Sequence, residues 1–376
     1  MLRILMQNRR DAFTVSGGDT IQMLKTKEAL ERNFEVSIDI STELEPDLSN
    51  YDIVHLFNVT RVHETYIQLK NAKKQNKPAV VSPIYHSINA IKSYEEHGRV
   101  GLFKYLNKLI PNPTYVEALK NLYRSIKDKK QFLPMIKQLK VGYYEQQKYV
   151  LEHADLLYTI AEEEFKCIKK ELNVTHSRYK VVPNGFDAEI IEEAKADEKV
   201  LDFLDNQEFI LCVARIENRK NQLGLMEALK DTDYKVVFVG ARNPKQKEYF
   251  NKFSKLIDNK QFFYLGKVDH DKIMNLFSKA KVHVLPSWFE VVPLVDIEAA
   301  LSGCSIVTSQ NSYINEYLTD SAYYCDPLDS NSIIENINLA YNSELQKSDL
   351  FEKIKKYKWD YVVENCYQGY KELAGR

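Results

Sequence analysis

The chain has 376 residues, 44% of them apolar and 28% charged, with a formal net charge of −1. That length exceeds one ordinary core and fits two domains, and the near-zero charge excludes a general attraction to nucleic acid or anionic lipid. Five dispersed cysteines (Cys167, Cys212, Cys304, Cys325 and Cys366) form no C-x-x-C pair, which argues for a reducing compartment and against a disulfide framework or thiolate metal site.

The opening "MLRILMQNRR" has too short an apolar run for a signal peptide, and its arginines follow the run instead of preceding it. No stretch approaches the roughly 20 apolar residues of a membrane span. The expectation is a cytoplasmic protein.

In the first half, strands are expected at "LRILM", "EVSIDI", "DIVHLF", "PAVVSPI", "DLLYTI" and "YKVVPN". After the first of them, "SGGDTIQ" opens a helix. Gly17 and Gly18 permit a tight backbone path, and a helix start offers free N–H groups to an anion. The pattern is neither a dinucleotide fingerprint nor a P-loop, so it reads either as an anion site or only as a turn. From Arg99 to Lys140 the pattern is helical, without strands. Arg99, Lys104, Lys108, Lys120, Arg124, Lys127, Lys129, Lys130, Lys137 and Lys140 face only Glu117 and Asp128 there. Such a basic, aromatic segment suits either an anionic membrane surface or a solvated insertion.

The turn in "VVPNGFD", Val181 to Asp187, marks the domain boundary. In the second half, strands are expected at "EFILCVAR", "YKVVFVGA", "QFFYLGKV", "VHVLPSW", "CSIVTSQ" and "AYYCDP". Continuous apolar strands separated by helix-length segments predict parallel sheets covered on both faces, hence two doubly wound α/β domains. Ligands bind such folds at the carboxyl ends of strands. Arg215 leaves one strand directly and Lys220 precedes the next helix, a pairing that suits a diphosphate, although two solvated loop cations would look the same.

Glu290 stands at the exit of "VHVLPSW", and Glu298 lies inside the following helix, with Pro293 suited to its first turn. Carboxylates bind hydroxyl pairs well, so one could hold a sugar ring and the other a ribose. "DTD" (Asp231 to Asp233) and "DHD" (Asp269 to Asp271) read as loop and helix-start features, not metal motifs.

Taken together, "SGGDTIQ", "VVPNGFD", "VARIENRKNQ", "FVGA", "YLGKV" and E-x7-E followed by "EAALSGCSIVTS" resemble the retaining glycosyltransferases of the group 1 type, family 4 of the sequence-based classification. The resemblance implies the GT-B fold, with two Rossmann-like domains facing a central cleft. An acceptor domain would span 1–183, with the basic insertion at about 94–145. A nucleotide-sugar domain would span 184–355, and the Trp359-containing helix, 356–376, would pack back on the first domain.

The resemblance further implies metal-independent transfer from a UDP- or GDP-type sugar, with no other cofactor, to a glycan or lipid-linked acceptor. The residues 99–140 would touch an anionic membrane, and nucleic acid would have no part. Carried over, Arg215 and Lys220 neutralise the diphosphate, Glu290 holds the donor sugar and Glu298 the ribose. Gly17 and Gly18 bring N–H groups to phosphate, Val268 meets the base, the Leu294 and Val295 N–H groups serve the sugar-phosphate loop, and His86 contacts sugar. The family's usual Gly-Phe-Gly-Leu after the first glutamate is here Val291-Val292-Pro293-Leu294, and Pro293 removes one donor. Set against this are a non-catalytic GT-B partner and an epimerase. A phosphorylase would need a longer chain, and an oxidoreductase the missing glycine fingerprint.

Overall fold

The computed structural model describes residues 1–14, 17–99, 132–187, 207–343 and 347–375. In chain order the first elements are β1 (Leu2–Gln7), α1 (Gly18–Asn33), β2 (Val36–Ser41), β3 (Ile53–Phe57), α2 (Val62–Lys74), β4 (Ala79–Ser82) and α3 (Ile88–Ser93). After a π turn at Tyr94–Gly98 come α4 (Phe132–Val141), α5 (Tyr143–His153), β5 (Leu156–Thr159), α6 (Glu162–Leu172) and β6 (Tyr179–Val181). The second half carries β7 (Ile210–Val213), α7 (Gln222–Leu229), β8 (Val236–Val239), α8 (Lys247–Leu256), β9 (Phe262–Tyr264), α9 (His270–Lys279), β10 (Val282–Leu285) and α10 (Leu294–Ser302). It ends with β11 (Ser305–Ser309), α11 (Asn315–Leu318), β12 (Tyr323–Cys325), α12 (Ser330–Tyr341), α13 (Lys347–Ile354) and α14 (Trp359–Ala374).

Each of the twelve apolar runs forms a strand. They build two six-stranded parallel sheets, ordered β2-β1-β3-β4-β5-β6 and β12-β11-β10-β7-β8-β9. Strands β3, β4, β5, β7, β8, β10 and β11 are buried at every residue, as helices on both faces require.

The chain divides into two compact units. The first takes its described residues from Met1–His86, Asn107–Gly185 and Trp359–Arg376, the second from Ser87–Leu106 and Phe186–Lys358. In the first unit α14 is locked in place by side chains of the sheet beneath it. Tyr158 donates to the Cys366 carbonyl at 2.6 Å, and a Cβ on Gly369 would lie 2.2 Å from the Tyr158 hydroxyl, so only glycine allows this approach. Gly185 is required for a similar reason: a Cβ there would come within 2.5 Å of the Trp359 indole. The glycine of the boundary turn thus serves packing, not a left-handed backbone.

His55 completes the lock, meeting the Tyr370 hydroxyl at 2.6 Å and the Ser82 hydroxyl at 2.8 Å. Burial pushes its pKa down to about 3. The unfolded chain would protonate His55 near the ordinary value, while the folded one resists to about 3, so the folded state loses stability as pH falls between those values. We expect the free energy of unfolding from urea titrations to fall below pH 6 by about 1.4 kcal/mol per pH unit, a slope absent from His55→Gln.

In the second unit, the segment Ser87–Arg99 packs against residues far along the chain. Ala90 and Tyr94 cluster with Trp288 and Phe289, and a Cβ on Gly98 would fall 2.4 Å from the Trp288 indole. Of the basic stretch, Lys104, Lys108, Lys120, Arg124, Lys127, Lys129 and Lys130 lie outside the described residues. Arg99 pairs with Glu95 at 2.5 Å, and Lys137 and Lys140 belong to α4.

Candidate functional site

In the second sheet β7 and β10 are neighbours, but the chain leaves β7 toward β8 and β9 and leaves β10 toward β11 and β12. The strand order reverses between them, and loops that diverge there leave a crevice at the carboxyl ends. The loop after β7 carries Arg215, Glu217, Arg219 and Lys220. It ends in a 3-10 turn, Asn218–Lys220, closed by Asn221 at φ 57°, a left-handed conformation that asparagine tolerates. The loop after β10 carries Trp288, Phe289 and Glu290.

Glu290 is where the two loops meet. Its Oε1 accepts from Lys220 Nζ at 2.6 Å, and its Oε2 lies 2.8 Å from Arg219 Nη1. Burial alone would raise its pKa, but Arg219 and Lys220 outweigh that and hold the carboxyl well below the usual range. Its backbone N–H donates to the Asn311 carbonyl at 3.0 Å, which ties the loop to the end of β11. Of the three residues expected to be catalytic, Lys220 and Glu290 are thus brought into contact. Arg215 shares the loop but stays half exposed, 3.5 Å from Glu217.

Arg219 was missed by the sequence reading. It also donates to the Phe289 carbonyl at 3.1 Å and lies 5.5 Å from the centre of the Phe289 ring. The only signal for it was a second cation beside Lys220.

Glu298 sits one turn deeper in α10, where its Oε1 meets His270 Nε2 at 3.3 Å. That bond raises the His270 pKa against the opposing effect of burial. His270, a histidine not singled out beforehand, opens α9 two residues beyond the half-buried Val268. The "DHD" stretch becomes the cap and first turn of α9, in line with its reading as a helix start.

Leu294 and Val295 form the first turn of α10, where N–H groups have no intrahelical partner. Pro293 lies one place earlier than expected: it is the N-cap at φ −73°, ψ 105°. It contributes no side-chain acceptor there. Beneath this turn, Asp296 Oδ1 lies 3.2 Å from His283 Nδ1, both fully buried.

In the first unit the strand order reverses between β1 and β3, and the expected glycines sit at that point. Gly17 caps α1 with an extended backbone, φ −138° and ψ −178°. It is needed because a Cβ would lie 2.8 Å from Asp19 Oδ1, whereas Gly18 has nothing within 4 Å. The expected tight turn is therefore corrected to a close approach at Gly17. Asp19 is buried and bound to Arg9 Nε at 2.7 Å and Asn58 Nδ2 at 3.0 Å. Burial would raise its pKa, but Arg9 and Asn58 lower it overall. Arg9 also pairs with Asp11 at 2.6 Å, and Arg61 pairs with the same carboxylate. His86 is half buried just past β4, after Ile84 at φ 51°. That conformation is strained for a β-branched residue and turns Tyr85 into the core.

Two parallel doubly wound units of this kind define the GT-B fold. A sucrose-phosphate synthase from Thermosynechococcus elongatus shares it, with a TM-score of 0.72 over 100% of both chains at 15% identity. Residues 193–358 match the family described as glycosyl transferases group 1. An uncharacterised glycosyltransferase of Methanocaldococcus jannaschii is 25% identical over 239 residues, 56% of this chain and 60% of that one. A UDP-Gal:alpha-D-GlcNAc-diphosphoundecaprenol alpha-1,3-galactosyltransferase of Escherichia coli is 30% identical over 154 residues, 38% of this chain and 39% of that one. The matches span between about two fifths and three fifths of those relatives' lengths.

Proposed function

We propose that this protein is a retaining glycosyltransferase that moves a sugar from a UDP- or GDP-type donor to a glycan or lipid-linked acceptor, without a catalytic metal or other cofactor. The carrying observation is the Glu290 carboxylate held between Arg219 and Lys220 where the second sheet reverses. In this reading the bond between the anomeric carbon and the diphosphate oxygen breaks. Lys220 and Arg215 neutralise the charge that develops on the leaving diphosphate, and Glu290 and Glu298 bind hydroxyls of the sugar and ribose. Gly17 and Gly18 present the start of α1 to phosphate, and His86 faces sugar.

The E. coli galactosyltransferase, by its name, takes a UDP-linked sugar to a diphosphoundecaprenol-linked one. A lipid-linked acceptor at the inner face of a bacterial plasma membrane fits that likeness and the basic 99–140 stretch, and the step belongs to surface polysaccharide or glycolipid assembly. No helix among the described residues is long and apolar enough to cross a membrane, so contact through that stretch would be peripheral.

The test is a metal-free thermal-shift screen against UDP, GDP, ADP and NAD, followed by nucleoside-diphosphate release from UDP-glucose, UDP-galactose and GDP-mannose. We expect one nucleoside diphosphate to raise the melting point of wild type but not of Glu298→Ala, and the matching sugar donor to release it. Binding without release would point to a non-catalytic GT-B subunit. A requirement for added Mg2+ or Mn2+ would remove the metal-independent step.

A further inference from the structure

Two cations share one carboxylate at Glu290, and their surroundings differ. Lys220 reaches it at the end of a flexible chain, and among the described residues its ammonium has this single ionic partner, Glu290 Oε1 at 2.6 Å. Arg219 is fixed at several points. Its guanidinium meets Glu290 Oε2 at 2.8 Å and lies 3.5 Å from Glu217. It donates to the Phe289 carbonyl at 3.1 Å, and its own carbonyl accepts from the Trp288 N–H at 2.8 Å. Phe289 and Trp288 are in turn packed on Tyr94 of the Ser87–Gly98 segment, with ring centres 5.6 and 6.2 Å away. A planar fork with three contacts, on a residue whose backbone is also tied, loses little freedom on holding a carboxylate, whereas an ammonium with one can exchange partners.

From this asymmetry we infer a division of labour, which rests on the glycosyltransferase reading above. Arg219 is the permanent partner of Glu290, a positioning residue that fixes its carboxylate toward the sugar, and Lys220 is the exchangeable one that the donor diphosphate draws away. When Lys220 turns to the diphosphate, Glu290 would face a second anion with only Arg219 to hold it charged. Among the described residues the other titratable groups around this pair are Glu217, on the same loop and 3.5 Å from Arg215, Tyr94, from the packed segment and with Arg99 5.7 Å from its ring centre, and the buried Cys212 near Lys220; the cations that reach the Glu290 carboxylate itself are Arg219 and Lys220.

The experiment compares wild type, Arg219→Gln, Arg219→Lys and Lys220→Ala. It measures UDP and GDP affinity by calorimetry, donor hydrolysis against pH, and the titration of Glu290 by NMR of carboxyl-labelled glutamate. Arg219→Gln should keep nucleoside-diphosphate affinity within about threefold and lower kcat for donor hydrolysis at least about tenfold, the pattern of an interaction used only in the transition state. Loss of its remaining counter-ion raises the Glu290 pKa, so the acid limb of kcat should move up by at least about one pH unit. Arg219→Lys should restore the acid limb but only part of kcat, because the charge returns without the fork. Lys220→Ala should instead weaken nucleoside-diphosphate binding.

A loss of nucleoside-diphosphate affinity in Arg219→Gln as large as in Lys220→Ala would make Arg219 a phosphate ligand and overturn the assignment, as would wild-type kcat and acid limb. If wild type binds no nucleoside diphosphate, the glycosyltransferase reading falls by itself. The ligand-free NMR titration still decides the pairing: Glu290 should rise further in Arg219→Gln than in Lys220→Ala, and the reverse order would refute it.

Discussion

Lys220→Ala should lower the rate of sugar transfer about 100- to 1000-fold, the loss seen when one preorganised charge facing a developing anion is removed. The protein should still fold. The variant leaves Glu290 paired with Arg219 at 2.8 Å, so no buried carboxylate is stranded, and the lysine removed is a loop residue whose side chain is 13% exposed. The melting point should therefore stay within a few degrees of wild type. Affinity for the nucleoside diphosphate should fall along with the rate, because a diphosphate carries its charge before and after the bond breaks. Lys220→Arg should recover part of both. Transfer at the wild-type rate in Lys220→Ala would remove the diphosphate role from this lysine, whatever becomes of the fold assignment.

Much of this site was legible in the sequence because strand ends are legible. "VHVLPSWFE" and "ILCVAR" announce buried strands, and whatever follows a strand in a parallel α/β sheet lies at the binding edge. That logic located Lys220, Glu290 and Glu298 from pattern and resemblance, and the structure joins the first two directly. It could not find the partners that packing selects. Arg219 differs from any other loop cation only through its contacts with Phe289 and Glu290, which lie about seventy residues further on. His270 stood in a stretch weighed only for metal, and its pairing with Glu298 needs α9 and α10 side by side.

The placement of Ser87–Arg99 was equally hidden. Gly98 and Trp288 must meet closely, and no local pattern links a glycine to an indole so distant in the chain. Gly17 shows the opposite case: the residue was identified, but for a backbone conformation that it does not adopt. A glycine marks either a special torsion or a close neighbour, and sequence alone does not separate the two.

The largest effect on stability should come from a pair outside the chemistry. His283 points from β10 into the layer between sheet and α10, where its Nε2 accepts from the Val213 N–H at 3.3 Å. That leaves the proton on Nδ1, which faces Asp296 Oδ1 at 3.2 Å, a close approach rather than a well-aligned hydrogen bond. Both side chains are fully buried, so each depends on the other. His283→Phe would leave the buried Asp296 side chain without this neighbour, and stranding a buried polar group costs about 1–3 kcal/mol, more where it is charged. Asp296→Leu leaves a neutral donor unpaired instead, which costs about 1–3 kcal/mol. The double variant removes both facing polar groups and fills the space with carbon; like His283→Phe it leaves the Val213 N–H without its acceptor, so that cost is common to the two and cancels in their comparison.

We therefore expect the double variant to be more stable than His283→Phe by about 1–3 kcal/mol, a non-additive cycle. Differential scanning calorimetry can follow the transition of the second unit in all four proteins. Additive losses in the cycle would mean that His283 and Asp296 are held by other contacts and that the pair is not what pins α10 to the sheet.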